Sequence, residues 1–443
     1  MYLEPIVEIE VSIWGRPIGT LRYNRPYAAY RFTPNEEYAD SKTSLSPALM
    51  PNPSESYIFP TSGNNYSRRN LATYLGLPGV FTDSLPDSFG LRLLNSGLEH
   101  MGFDYDKITS LERLFYVRDR ALGALSYRSI PSDQVAFKNS EPSNIDIPGL
   151  RAASNRVMSI PDFTKIYYNE SELIKVGAYA GGARAKILAD WNRDTNNLVT
   201  HESGKQGYSS WLIKLDGVGK GADGSINSLI AAGDYGKIEY AYHQMAAMAG
   251  IDVPETSLYT ENGYSHFMSK RFDRVAGQRL HMVTLNGVAH LDYRYRLEHS
   301  YEQYFDTILA LGIGEEGVTE GYRRMLFNVY SKNRDDHTKN FSFLMDDRSR
   351  TWRLSPAYDI THAHNPEGVW TQQHQLSVNG KRDNIVISDF IDVADKYRIP
   401  NPRIIIQQVA DAVNNWKSFG QQNEIESDKV FAINSDIKKS WPK

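Results

Sequence analysis

Residues Asn333-Arg334-Asp335-Asp336-His337-Thr338-Lys339-Asn340 set a carboxylate, Asp335, and a side-chain amide, Asn340, at fixed spacing in a stretch too polar for a buried strand. A carboxylate so placed can take the proton of a hydroxyl, and an amide oxygen can serve a hard cation. Downstream, Leu354-Ser355-Pro356-Ala357-Tyr358-Asp359-Ile360 supplies a second carboxylate, Asp359. Taken alone the spacing is that of an ordinary solvated turn, because Asp, Asn and Lys crowd into turns. What precedes it in the chain decides its meaning.

An Arg-Asp pair followed after four residues by Asn is the spacing of a protein-kinase catalytic loop, in which the acid receives the substrate proton and the amide holds Mg²⁺. Phosphoryl transfer asks the protein mainly to place an acceptor oxygen and to neutralise phosphate charge. Mg²⁺ keeps several waters, so one amide oxygen and one carboxylate suffice as protein ligands. Asn340 and Asp359 meet that need.

The remaining parts occur upstream, in the order such a site requires. Gly177-Ala178-Tyr179-Ala180-Gly181-Gly182-Ala183-Arg184-Ala185-Lys186 is a small-residue loop ending in two cations, which lets backbone N–H groups approach phosphate oxygens. Ser210-Trp211-Leu212-Ile213-Lys214-Leu215-Asp216-Gly217 reads as a short buried strand closed by a turn and presenting Lys214. Helical spacing then runs from Ile238 to Met248, before Gly250 and Pro254, and its Glu239 is the candidate ion-pair partner of Lys214. His266 to Arg274 gives a strand for the adenine-side hinge.

Together these residues resemble the HipA-like serine/threonine kinases, the toxins of bacterial type II toxin–antitoxin pairs. The resemblance rests on Gly181 to Lys186, Lys270-Arg271-Phe272-Asp273-Arg274, Asn333 to Phe341 and Ser355 to Asp359. It extends to Leu85-Pro86-Asp87-Ser88-Phe89-Gly90, Gly123-Ala124-Leu125 and Ser377-Val378-Asn379-Gly380-Lys381, so it covers most of the chain. It implies that Asp335 is the catalytic base, that Asn340 and Asp359 bind Mg²⁺, and that Lys214 meets the nucleotide phosphates. Gly181, Gly182, Ala183, Arg184, Ala185 and Lys186, the hinge residues Lys270, Arg271 and Phe272, and His337, Lys339 and Tyr358 would line the ATP site. It further implies a small helix-turn-helix, HipB-like antitoxin as partner, DNA contact through that antitoxin, and a protein substrate, with an aminoacyl-tRNA synthetase as the class suggested. In one place the chain departs from the family. Where a regulatory serine often precedes the small-residue loop, this chain has Tyr179, and it has no Ser or Thr between Glu172 and Trp191. Serine autophosphorylation at that slot is therefore not expected.

Composition agrees with a globular enzyme. The 443 residues carry 41% hydrophobic side chains and a formal net charge of −4, which does not favour wrapping nucleic acid by global charge. The chain has no cysteine, which excludes disulfides, thiolate metal sites and cysteine nucleophiles. No run approaches a membrane span and the N-terminus does not read as a signal peptide, so a cytoplasmic location and no membrane partner are expected.

Alternation at Val7, Ile9, Val11 and Ile13, a turn at Gly15-Arg16 and a return over residues 18–23 predict a β-hairpin. Tyr30-Arg31-Phe32 and Ser44-Leu45-Ser46 read as short strands. Residues 89–101, 111–118, 301–311, 322–330 and 403–416 read as helices. The predicted class is α+β with a kinase-like two-lobed HipA fold. Its parts are a β-rich N-terminal module over 1–130, a linker over 131–149, small-lobe elements over 150–275 and a mainly helical lobe over 276–443. The alternatives are a pseudokinase serving as a corepressor, a phosphotransferase acting on a small molecule, and a structural interaction protein.

Overall fold

A computed structural model describes residues 3–41, 43–60, 73–130, 142–159, 171–177, 184–201, 204–218, 234–439 and 441–442. The fold is mixed α/β, β-rich toward the N-terminus and helical toward the C-terminus, as the sequence predicts. The chain forms two compact units. The first comprises Met1–Leu212, Asp273–His290 and Leu344–Arg350, and the second comprises Ile213–Phe272, Leu291–Phe343 and Thr351–Lys443.

In the first unit, strands β1 (Glu8–Ile13), β2 (Arg16–Asn24), β3 (Ala29–Pro34), β4 (Tyr57–Pro60) and β5 (Leu125–Ser129) form an antiparallel sheet in the order β4-β3-β2-β1-β5. Ile9, Val11 and Ile13 alternate into its core, as period-2 patterning requires. The β1–β2 turn falls on Trp14-Gly15 rather than Gly15-Arg16. Both residues take positive φ, the geometry of a tight hairpin turn that follows the strand twist.

The helix Ser88–His100 buries Phe89, Leu93, Leu94 and Leu98. The helix Ser110–Val117 starts with a capping box between Thr109 and Glu112, and Glu112 also accepts from the Ile6 N–H at 2.6 Å. Ser44-Leu45-Ser46 is not a strand. Its backbone is satisfied locally: the Leu45 N–H donates to the Tyr38 hydroxyl, the Ser46 N–H donates to Ser44 Oγ, and the Ser46 carbonyl accepts from Met50. Residues 142–149, the end of the segment read as a linker, pair with residues 198–200 and open the helix Ile147–Ser159. Strands β6 (Lys186–Asn192) and β7 (Asn197–Thr200) form a hairpin.

The chain enters the second unit within strand β8 (Ser209–Lys214), so Lys214 stands at the end of that strand. Strands β9 (Thr256–Glu261) and β10 (Tyr264–Lys270) pair as a hairpin. The helix Tyr235–Met248, three residues longer at its start than its apolar pattern suggests, lies close on β10 at Gly236. A Cβ built at Gly236 would come within 1.8 Å of the Ser265 carbonyl oxygen, so only glycine permits that approach.

The rest of the second unit carries the helices Tyr301–Ala310, Gly314–Ser331, Ile387–Tyr397, Pro402–Asn414, Trp416–Gln422 and Ser427–Lys439. Its centre is aromatic. Tyr242 stacks edge-on against Trp416 at 5.2 Å and Phe327 at 6.4 Å, and its hydroxyl donates to the Ser331 carbonyl at 2.8 Å. Trp416 opens a helix instead of closing the preceding one, and Asn415 stands between the two.

Candidate functional site

Lys214, Glu239, Lys270, Arg271, Phe272, Asp335, His337, Lys339, Asn340, Tyr358 and Asp359 all lie in the second unit, whereas Asp273 and Arg274 belong to the first. Lys214 Nζ donates to Glu239 Oε1 at 2.5 Å and to Asp359 Oδ1. The helix Tyr235–Met248 delivers Glu239, and the close approach at Gly236 puts that helical turn against the strands. Burial opposes the Lys214 charge, but the Asp359 and Glu239 carboxylates outweigh it and hold the pKa above that of an ordinary lysine. The two carboxylates thus favour the charged ammonium.

Asp359 sits at φ 57°, a left-handed conformation that a residue other than glycine adopts at a cost. Its neighbour Tyr358 donates to the Lys339 carbonyl at 2.7 Å and shares a hydrogen bond with Ser342 Oγ. In the loop, the Asn340 N–H donates to the His337 carbonyl at 2.9 Å, and Asn340 Nδ2 donates to the Asp335 carbonyl at 2.7 Å. A continuous path of bonds thus joins Lys214, Asp359, Tyr358, the loop turn and Asp335.

The two adjacent acids of the loop differ. The Asp335 side chain is 42% exposed, with His337 Nε2 at 3.8 Å from Oδ1. Asp336 is buried and fully engaged: Oδ2 accepts from Tyr301 Oη at 2.8 Å and pairs with His374 Nδ1 at 2.9 Å, and Oδ1 accepts from the Gln375 N–H at 2.7 Å. Burial works against its charge, and the His374, Gln375 and Tyr301 contacts hold its pKa below the usual carboxylate range. Only Asp335 is exposed enough to meet a substrate. Asp336 anchors the loop. Arg334, also buried, pairs with Asp383 at 2.7 Å and with the Gln372 carbonyl.

Asn340 and Asp359 offer hard oxygen donors, the type that Mg²⁺ takes. With Nδ2 of Asn340 committed to Asp335, its Oδ1 is left for a cation, so these residues fit a Mg²⁺-bound nucleotide. A small cleft beside them is lined by Asn333, Asp336, Asn340, Ala357, Tyr358 and Ile360. In the segment read as the hinge, the Phe272 ring lies 5.8 Å from that of Tyr358, and Arg271 is buried. Lys270 turns to the surface, where it pairs with Glu255 at 2.7 Å. Lys339 Nζ lies 5.1 Å over the Tyr293 ring, and the His337 ring is 5.4 Å from the same ring.

The described end of the small-residue segment, Arg184 to Lys186, belongs to the first unit. Arg184 is exposed, and Ala185 and Lys186 are buried as the chain enters β6. Gly181, Gly182, Ala183 and Tyr179 lie outside the described residues.

Sequence reasoning missed Asp336, His374, Tyr301 and Asp383. The doubled acid at 335–336 was the one available signal, because two adjacent carboxylates in a tight loop cannot face the same way. The stretch Ser377 to Lys381 also proves architectural. Asn379 and Gly380 make a left-handed turn, and Lys381 binds Asp389 in the first turn of the helix Ile387–Tyr397.

Comparison with known proteins agrees with this architecture. The HipA-like C-terminal domain family matches residues 178–416 and the HipA N-terminal domain family matches residues 9–128. The chain belongs to the HipA-like family. HipA of the Shewanella oneidensis MR-1 toxin–antitoxin system, solved with HipB and operator DNA, has the same fold. The two match at a TM-score of 0.66 over 98% of this chain and 95% of that one, with 15% identity. Y4dM of Sinorhizobium fredii (strain NBRC 101917 / NGR234), which carries a provisional kinase name, is 30% identical over 134 residues. That match spans 28% of this chain and 32% of Y4dM, so the chain covers about a third of that relative's length. Among the described residues no helix is long and apolar enough to cross a membrane.

Proposed function

We propose that this chain is an ATP- and Mg²⁺-dependent serine/threonine protein kinase of the HipA toxin type, neutralised by a HipB-like antitoxin through which it reaches DNA. The observation that carries the reading is Lys214, held between Glu239 and Asp359 in the unit whose loop presents Asp335 beside Asn340. Asp335 would receive the acceptor hydroxyl proton on its carboxylate. Lys214, oriented by Glu239, would neutralise the phosphates, and the Phe272 and Tyr358 rings would shield the nucleotide. Asn340 and Asp359 would hold Mg²⁺, which when bound supplies further charge neutralisation. The family resemblance implies that residues 181–186 contribute to phosphate binding.

The family resemblance suggests an aminoacyl-tRNA synthetase as the class of protein substrate. Incubating the full chain with Mg²⁺, ATP and a cell lysate, then mapping phosphosites by mass spectrometry, tests the reading. New phosphoserine or phosphothreonine on a discrete protein is the expected result. Nucleotide consumption without phosphoprotein would favour a small-molecule acceptor instead.

A further inference from the structure

The helix Ser427–Lys439 reaches the segment that follows Asp359 with the Asp436 carboxylate. His362 Nε2 and His364 Nδ1 converge on Asp436 Oδ2, at 2.9 Å and 2.7 Å. Both Asp436 and His362 are buried, and the His364 side chain is 11% exposed. Burial works against the Asp436 charge, and the two imidazole contacts hold its carboxyl well below the usual range.

The residue between these histidines, Ala363, is one point of attachment to the loop. The Arg334 N–H donates to the Ala363 carbonyl at 3.0 Å, the Ala363 N–H donates to the Lys332 carbonyl at 3.1 Å, and Asn333 and Ala363 form a parallel bridge. Residues 332–334 lead directly into Asp335. A side chain on each flank of Ala363 is therefore fixed by one distant acid, and the bridge between them sets where the loop begins.

We propose that Asp436 is a positioning residue: by clamping His362 and His364 it keeps Ala363 joined to residues 332–334 and so fixes the reach of Asp335. The effect on catalysis rests on the kinase reading above, whereas the clamp itself does not. The test uses the full chain as Asp436→Asn and Asp436→Glu, with His364→Gln as a milder second variant should Asp436→Asn fold poorly.

Two readouts are taken. In amide hydrogen exchange, Asp436→Asn weakens a charge-assisted contact, so Arg334 and Ala363 should exchange about 10–100-fold faster, with the helix Gly314–Ser331 unchanged. In steady-state phosphoryl transfer, kcat should fall about tenfold with KM for ATP unaltered, and Asp436→Glu, which keeps the charge, should recover part of it. Unchanged exchange at Arg334 and Ala363, or a loss of protection spread evenly over the unit, would overturn the clamp. A rise in KM with kcat intact would overturn its action through Asp335. Absence of phosphoryl transfer by the parent protein would defeat the kinase reading alone, and the exchange result would still decide the clamp.

Discussion

Two neighbouring aspartates behave oppositely because of what surrounds each. Asp336 satisfies three donors in a buried pocket, so Asp336→Ala removes the acceptor of the Tyr301 O–H, the partner of the His374 Nδ1 and the acceptor of the Gln375 N–H. Leaving buried groups unsatisfied should cost on the order of 3 kcal/mol, read as a lower chemical-denaturation midpoint. Asp335→Asn, at a half-exposed position, should leave that midpoint unchanged. His243 is a third informative residue. It is 1% exposed, its ring lies 5.0 Å from Phe267, and burial first and Lys214 second push its pKa down to about 3. The unfolded chain takes up a proton near the ordinary histidine value that the folded chain refuses. Stability is therefore lost as pH falls from about 6.5 toward 3, by about 1.4 kcal/mol per pH unit for this group. Removing the titrating ring, as in His243→Leu, should flatten the fall in stability between pH 6.5 and pH 5, measured by denaturant titration at each pH. An equally steep fall would show that His243 does not titrate in this way.

Strand β8, the helix Tyr235–Met248 and the segment ending at Asp359 meet at Lys214, and their convergence makes a prediction about ligand binding. Nucleotide should raise the melting temperature only when Mg²⁺ is present. At 100 times its dissociation constant, a ligand stabilises by about 2.7 kcal/mol. Asp359→Ala should erase the metal-dependent part. Equal stabilisation of variant and parent by ATP in Mg²⁺ would remove Asp359 from the metal site. The elements that carry these residues were legible because their signals are local: a short apolar run, a helical period, a fixed loop spacing. The anchors were not, since His374 lies 38 residues from Asp336 and Asp436 lies 74 from His362, beyond what any periodicity reports. Ser44-Leu45-Ser46 misled for the complementary reason, that side-chain hydroxyls there replaced a ladder partner.

At the scale of the whole molecule, the fold class and the β-rich and helical halves followed from pattern together with resemblance, and the HipA-like family match accounts for most of the chain. The net charge of −4 is in keeping with the proposal that DNA is reached through an antitoxin partner. The central claim is that the second unit transfers a phosphoryl group with Asp335 as base. The most direct measurement is incorporation of γ-labelled phosphate from Mg²⁺-ATP into lysate protein by the parent chain and by Asp335→Asn, matched for fold by circular dichroism. The account predicts a loss of about 10²–10⁴-fold in the variant. Equal incorporation by the two proteins would contradict it.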